Sequence, residues 1–390
     1  MTIGPLAGIK VLDATQGVAG PHAGMLLAQN GADVVKLEPL DGDWGRTLGK
    51  RYGDLSAQAI VFNRGKKSIA VDLKADEGRK IAQKLAVSAD IVLESYRPGV
   101  MKKLGLGYED IRTRRPDIIY LSITGFGQNG PYSGLPVTDS VIQAFSGWMT
   151  LHRDDAGTPM RSGIIAIDVM TGLYAYQAIA SALIGRLRGG GGAYIDCSML
   201  QSAAAFQAAK SLEYFLEDGK PEVSYVPVGV MPTADGYINI SAMRDAHYAA
   251  LCKVLGRPDL AVHPKYDTRD KRRAHKDEVM ALLRQEFAKR ETAHWQRELT
   301  AAGVMNAVIN TYGEFLADPH VKEIGTMSYV DHGALGTAPA ANIPGVPAFG
   351  SDARGACPSV GQHTREVLAS NGYDNTGIAA LVAAGVVKQA

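Results

Sequence analysis

The stretch GIIAIDVMTGLYAYQAI, residues 163–179, is uncharged and mostly apolar except for one carboxylate, Asp168. Its neighbours place Asp168 in the first turn of a helix, where free backbone N–H groups and the helix dipole favour negative charge. Two readings follow from that position. The carboxylate caps and charges a helix end, or it works in a largely apolar pocket as a nucleophile toward an activated carbonyl. The local pattern is compatible with both.

Basic side chains form the second chemical signal. FNRGKKSIAVDLK gathers Arg64, Lys66, Lys67 and Lys74, ESYRPGVMKKLG adds Arg97, Lys102 and Lys103, and Arg46 ends DGDWGR. Such clusters meet the phosphates of a nucleotide-like ligand or lie as ordinary solvated surface. The chain as a whole carries 41 basic and 40 acidic side chains, a balance that gives no general attraction for nucleic acid or an anionic membrane. An anionic ligand must therefore be held by local groups.

Other chemistries find little support. GVAGPHAG follows a strand but lacks the dinucleotide glycine spacing, so Glu38, placed where a ribose-binding acid would stand, is a weak cue. His247, His263 and His275 are scattered, and Cys197, Cys252 and Cys357 form no CxxC unit. No metal site and no disulfide framework are expected. Cys197 reads as a small buried side chain.

These residues need a scaffold, and the hydrophobic pattern supplies one. GIKVLDAT, Val34 to Glu38, SIAVDLK, DIVLES and DIIYLSITG read as strands, with helices at residues 21–30 and over KADEGRKIAQKLAVSA. Continuous Val/Ile/Leu runs alternating with helices predict a doubly wound, mostly parallel α/β sheet. A long helix is expected over residues 167–188, then a strand AYIDCSM and a helix LQSAAAFQAAKSLEYFLE. Residues 1–217 form a large Rossmann-like domain in this reading, and the Gly- and Pro-containing 218–235 a linker. Residues 236–325 form a smaller α+β domain, and 326–390 a return segment completing the large one. The amino terminus lacks a basic segment followed by an apolar one, and no later segment offers about 18 uncharged apolar residues. A soluble cytoplasmic protein, with no membrane or nucleic-acid partner, is the expectation.

Taken together, PLAGIKVLDATQGVAGPHAGMLLAQNGADVVKLEPLDGD, FNRGKKSIAVDLK, ADIVLESYRPGVMKKLGLGYEDI, IIYLSITGFGQNGPY, IDVMTGLYAYQAIASAL, PTADGYINI and GQHTREVL resemble the family III CoA-transferases over almost the whole chain. That group includes formyl-CoA:oxalate and carnitine CoA-transferases and α-methylacyl-CoA racemase. The resemblance implies an interlocked homodimer, coenzyme A or acyl-CoA and a carboxylic acid as substrates, and no tightly bound cofactor. It makes Asp168 the covalent nucleophile, passing through an aspartyl anhydride and an aspartyl-CoA thioester, with nearby helix N–H groups steadying the oxyanions. It places Val18, Ala19, Arg46, Val71, Lys74, Arg97 and Lys103 along the CoA. Gln16, Gly127, Asp139 and Arg161 lie on the substrate side.

Two departures narrow the activity. Racemases carry a His before the acid that Asp139 matches, and Thr138 stands there instead, which removes one base and favours transfer over racemisation or epimerisation. The region that matches the glycine-rich loop of formyl-CoA enzymes reads PVGVMPTADG. That points away from oxalate toward C4–C5 dicarboxylates, with Arg161 as counter-charge. A noncatalytic CoA-binding protein is the remaining alternative, and it leaves Asp168 without a use.

Overall fold

The computed structural model describes residues 4–154, 156–346 and 355–390. The chain divides into two units, Met1–Ala208 with Gly325–Ala390, and Ala209–Ile324.

The larger unit is built on a sheet whose strands run β1 (Lys10–Ala14), β2 (Asp33–Glu38), β3 (Lys67–Val71), β4 (Ile91–Glu94), β5 (Ile119–Thr124), β6 (Ala193–Ser198) and β10 (Val387–Lys388). Spatially the order is β10-β3-β2-β1-β4-β5-β6, with every pair parallel except the β10–β3 edge. The expected α/β sheet is therefore present, with one antiparallel edge strand added by the C-terminal end of the chain. Successive residues alternate between two cores. Leu12, Val92 and Tyr120 pack on one face with the helix α2 (Asp76–Ser88), while Val11, Ile91, Leu93, Ile119 and Leu121 pack on the other. Both faces being covered explains the unbroken apolar runs.

On the second face lie α1 (Ala19–Gln29) and α4 (Ala166–Leu187), the latter preceded by α3 (Asp139–Phe145). α4 is long and apolar enough to cross a membrane by composition alone. Ile167, Met170, Ala175, Ile179 and Leu183 are nevertheless buried along it, inside the unit. The helix expected over LQSAAAFQAAKSLEYFLE is broken at Gln207 into α5 (Met199–Phe206) and α6 (Ala208–Leu216).

The smaller unit holds an antiparallel sheet of β7 (Val228–Pro232), β8 (Tyr237–Ser241) and β9 (Met305–Val308), with β8 central. Most of the segment read as a linker, 218–235, carries no regular element, but its Val228–Pro232 pairs with β8 in register Tyr237↔Pro232 to Ser241↔Val228. Pairing across a turn, rather than alternation within the segment, makes this strand. Ile238, Ile240, Leu251, Leu283, Phe287 and Trp295 form its core. Arg272, wholly buried, donates to the carbonyls of Val226 and Tyr266 at 2.9 Å each and lies over the Tyr248 ring.

Candidate active site

The chain runs from β1 outward through β2 and β3, then crosses back to β4, β5 and β6 on the other side of β1. The carboxyl ends of β1 and β4 thus flank the switch point where open α/β sheets bind ligands. The two loops meet there. The Gln16 N–H donates to Ser95 Oγ at 2.9 Å, and Gln16 Nε2 donates to the Tyr96 hydroxyl at 3.3 Å. Val18 and Ala19 are buried at the start of α1, so what they present to a ligand is main chain. Arg97 and Lys103 are exposed on the segment that leaves β4, and Lys74 is exposed on the segment that leaves β3. Val71 is 1% exposed and packs in the sheet core, so its side chain is not free for the CoA contact expected of it.

Arg46 departs from its expected role. It is 2% exposed, and its Nε and Nη2 grip the two Glu38 oxygens at 2.8 Å each while Nη2 also donates to the Pro358 carbonyl at 3.0 Å. A guanidinium so engaged is not free for a phosphate. Lys66, from the same basic clusters, is likewise buried, 2.7 Å from Asp13. Sequence shows a charge but not its partner.

Asp168 stands at the third position of α4, and because the adjacent Val169 meets His22 in the first turn of α1, it lies at the same end of the sheet. The residue preceding α4, Ile165, supplies no side-chain cap. Asp139 does so from 29 residues away in sequence, its Oδ2 accepting the N–H groups of Ile167 at 2.8 Å and Asp168 at 3.1 Å. Gln143 donates to the other Asp139 oxygen and accepts the Ser162 N–H at 3.0 Å, tying the entry to α4 onto α3. The Val169 N–H is used within the helix. The first-turn donors expected to steady an oxyanion are therefore largely taken by Asp139, and the donors for that task must come from elsewhere.

Burial, and secondarily the Asp139 charge, push the Asp168 carboxyl up to about 7. Neither cause involves a cation, and no described salt bridge includes Asp168. A carboxylate this basic is a stronger nucleophile than an ordinary aspartate, and it is still ionised in a large share of molecules near neutral pH.

His22 was not legible as a site residue. Its Nδ1–H donates to the Val169 carbonyl at 3.0 Å, and burial depresses its pKa to about 4, so it stays neutral and ties α1 to the helix turn that carries Asp168. The close crossing depends on Gly172, one turn beyond Asp168. A Cβ there would stand 2.6 Å from His22 Nδ1 and 2.8 Å from the Ala19 carbonyl oxygen. Gly172→Ala is expected to destabilise the protein by about 1–3 kcal/mol and to depress turnover, because α1 must shift relative to Asp168. Thermal denaturation beside steady-state rates checks both effects.

Of the remaining substrate-side residues, neither Gly127 nor Arg161 makes a described hydrogen bond or ion pair with Asp168, although Ser162, next to Arg161, is tied through Gln143 and Asp139 to its helix turn. Gly127 lines an open cavity of about 350 Å³ with Asp196, Ser198 and Gln201, whose lining includes neither Asp168 nor a cation. That lining does not suit a carboxylic acid. Arg161 is exposed, upstream of α4.

The model for CoA-transferase family III matches residues 6–364. The chain belongs to that family. It is 38% identical to human succinyl-CoA:glutarate CoA-transferase over 99% of this chain and 91% of that protein. It is 37% identical to succinate–glutarate CoA-transferase of Agrobacterium fabrum over 82% and 84% respectively. A crystal structure of Rv3272 from Mycobacterium tuberculosis superposes with a TM-score of 0.84 at 33% identity, covering 94% of this chain and all of that one. A family III CoA-transferase moves CoA between an acyl-CoA and a carboxylic acid.

Proposed function

We propose that this enzyme transfers CoA between C4 and C5 dicarboxylic acids, with succinyl-CoA as donor and glutarate as acceptor. The observation that carries the mechanism is Asp168, a cation-free carboxylate pushed up to about 7 at the carboxyl end of the sheet. Its oxygen attacks the donor thioester carbonyl, the C–S bond breaks, and CoA thiolate leaves a mixed anhydride. The thiolate then attacks the aspartyl carbonyl, releasing the donor acid and leaving an aspartyl-CoA thioester. The acceptor carboxylate attacks that thioester, and the expelled thiolate takes the acceptor's acyl group, restoring Asp168. No net proton is consumed, so the nucleophile must only be ionised. The acid pair is supported by the two succinate–glutarate CoA-transferases among its relatives and by the segment PVGVMPTADG, which carries strand β7 in place of a glycine-rich loop.

Two copies interlock in this reading. Leu187 and Phe215 are 78% and 77% exposed in the single chain, and Leu216 is 68% exposed. Exposed apolar side chains on helices of both units support covering by a second copy.

Comparison of kcat/KM over donor and acceptor pairs tests the assignment. Succinyl-CoA with glutarate is expected to exceed formyl-CoA with oxalate by about tenfold or more, and Arg161→Ala to reduce the preference for dicarboxylates over monocarboxylates by about 10–100-fold. A tenfold advantage for oxalate would refute the dicarboxylate assignment. Unchanged discrimination in Arg161→Ala would remove Arg161 from it.

A further inference from the structure

Six ionisable side chains meet beneath the loop that follows β1. Asp13 and Lys36 are wholly buried, and Glu38, Asp43, Arg46 and Lys66 are each no more than 4% exposed. Three acids face three bases: Lys66 Nζ lies 2.7 Å from Asp13, Lys36 Nζ lies 2.9 Å from Asp43, and Arg46 grips Glu38. Burying ion pairs is costly, and well-packed apolar replacements are often as stable or more so. Stability therefore does not account for the cluster, and what it holds does.

Bonds from the first two pairs reach the loop at Thr15 and Gly17, and the first turn of α1 at Pro21. Lys36 donates to the Thr15 carbonyl at 2.5 Å and Lys66 to the Pro21 carbonyl at 2.8 Å. Asp13 accepts the Thr15 N–H at 3.0 Å and the Thr15 hydroxyl. Asp43 Oδ1 accepts the N–H groups of Gly17 at 2.8 Å and Gly45 at 2.9 Å. Gly17 has φ +82°, and a Cβ on it would stand 2.3 Å from the Trp44 ring, so the loop is also pressed flat from outside. Between these anchors lie Gln16, Val18 and Ala19.

We propose that this buried charge cluster is a positioning device for the CoA-binding loop, with Lys36 and Asp43 acting through the backbone of Thr15 and Gly17. The inference rests on the reading of the switch-point loop as the nucleotide site of CoA transfer. A loop held in its bound shape has little ordering cost to meet on binding, so losing the anchors weakens CoA affinity rather than the chemical step.

Calorimetric titration with CoA and steady-state kinetics with succinyl-CoA provide the test. Asp43→Ala is expected to weaken CoA binding and raise KM by about 10–100-fold while kcat stays within about threefold. Asp43→Asn keeps an acceptor for Gly17 and should recover most of the affinity. The double variant Lys36→Met with Asp43→Leu removes both ions, so it is expected to melt near the unaltered protein and still show the loss. It decides the matter if Asp43→Ala does not fold. Leu368→Ala, in the helix Thr364–Ser370, should lower the melting temperature and leave CoA affinity unchanged. Unaltered CoA affinity in the double variant overturns the proposal, as does an equal loss in Leu368→Ala, while the transferase reading stands. Absence of CoA binding to the unaltered protein would overturn the nucleotide-site reading itself.

Discussion

Asp168→Asn is expected to lower CoA transfer by about three orders of magnitude or more and, at the same time, to make the protein more stable above neutral pH. The loss follows from chemistry: an amide cannot form the anhydride, and no other described carboxylate occupies the same helix turn. The gain follows from linkage. Asp168 titrates near 7 in the folded chain against a reference of 3.8, so between those values the native state holds a proton that the unfolded chain releases. Stability contributed by that proton is fully present below about pH 4 and lost as pH rises toward 7. The full shift would correspond to about 4 kcal/mol, but the carboxylate is part-exposed to water, which reduces the expected gain to about 1–2 kcal/mol. Melting curves of the two proteins should therefore coincide near pH 4 and separate at pH 8, with the Asp168→Asn variant melting at the higher temperature. Retained turnover in the variant would remove Asp168 as nucleophile. Equal melting at pH 8 would refute the charge strain but not the chemistry. Incubation with succinyl-CoA alone and hydroxylamine trapping should further place the adduct on the peptide that contains Asp168.

The framework of this site was legible because it is local. The strand runs, the βα alternation and the single acid in GIIAIDVMTGLYAYQAI depend on neighbours in sequence. What surrounds the acid was not. Asp139 reaches the N-terminus of α4 from 29 residues away and His22 reaches Val169 across 147, and such pairings leave no periodic trace. The basic clusters misled for the same reason, since Arg46 and Lys66 find buried acids that lie on other strands. One cue was available: DVVKLE places Lys36 and Glu38 inside a strand covered on both faces, where an ionised side chain needs a partner. Reading those two residues as interior charges would have pointed to the cluster beneath the loop.

Asp139 has two effects on Asp168, and a substitution there separates them. Its charge is the second cause, after burial, of the raised Asp168 pKa, and its Oδ2 holds the Ile167 and Asp168 N–H groups. With ionised Asp168 as the proposed nucleophile, kcat/KM for succinyl-CoA should fall about tenfold per pH unit below about 7 and level off above it. In Asp139→Asn the charge is gone while one acceptor oxygen remains. The acid limb should move to lower pH by up to about one unit, because burial alone now disfavours the ion. The plateau should fall by about 10–100-fold, because Asn offers α4 a weaker cap and the less basic carboxylate is a poorer nucleophile. At pH 5 the two effects oppose each other, so the variant's relative deficit should be smallest there and largest at pH 8. Asp139→Ala removes cap and charge together and should show the same limb shift with a deeper plateau. A lower plateau with an unmoved limb in both variants would mean that Asp139 anchors the helix without setting the charge state of Asp168.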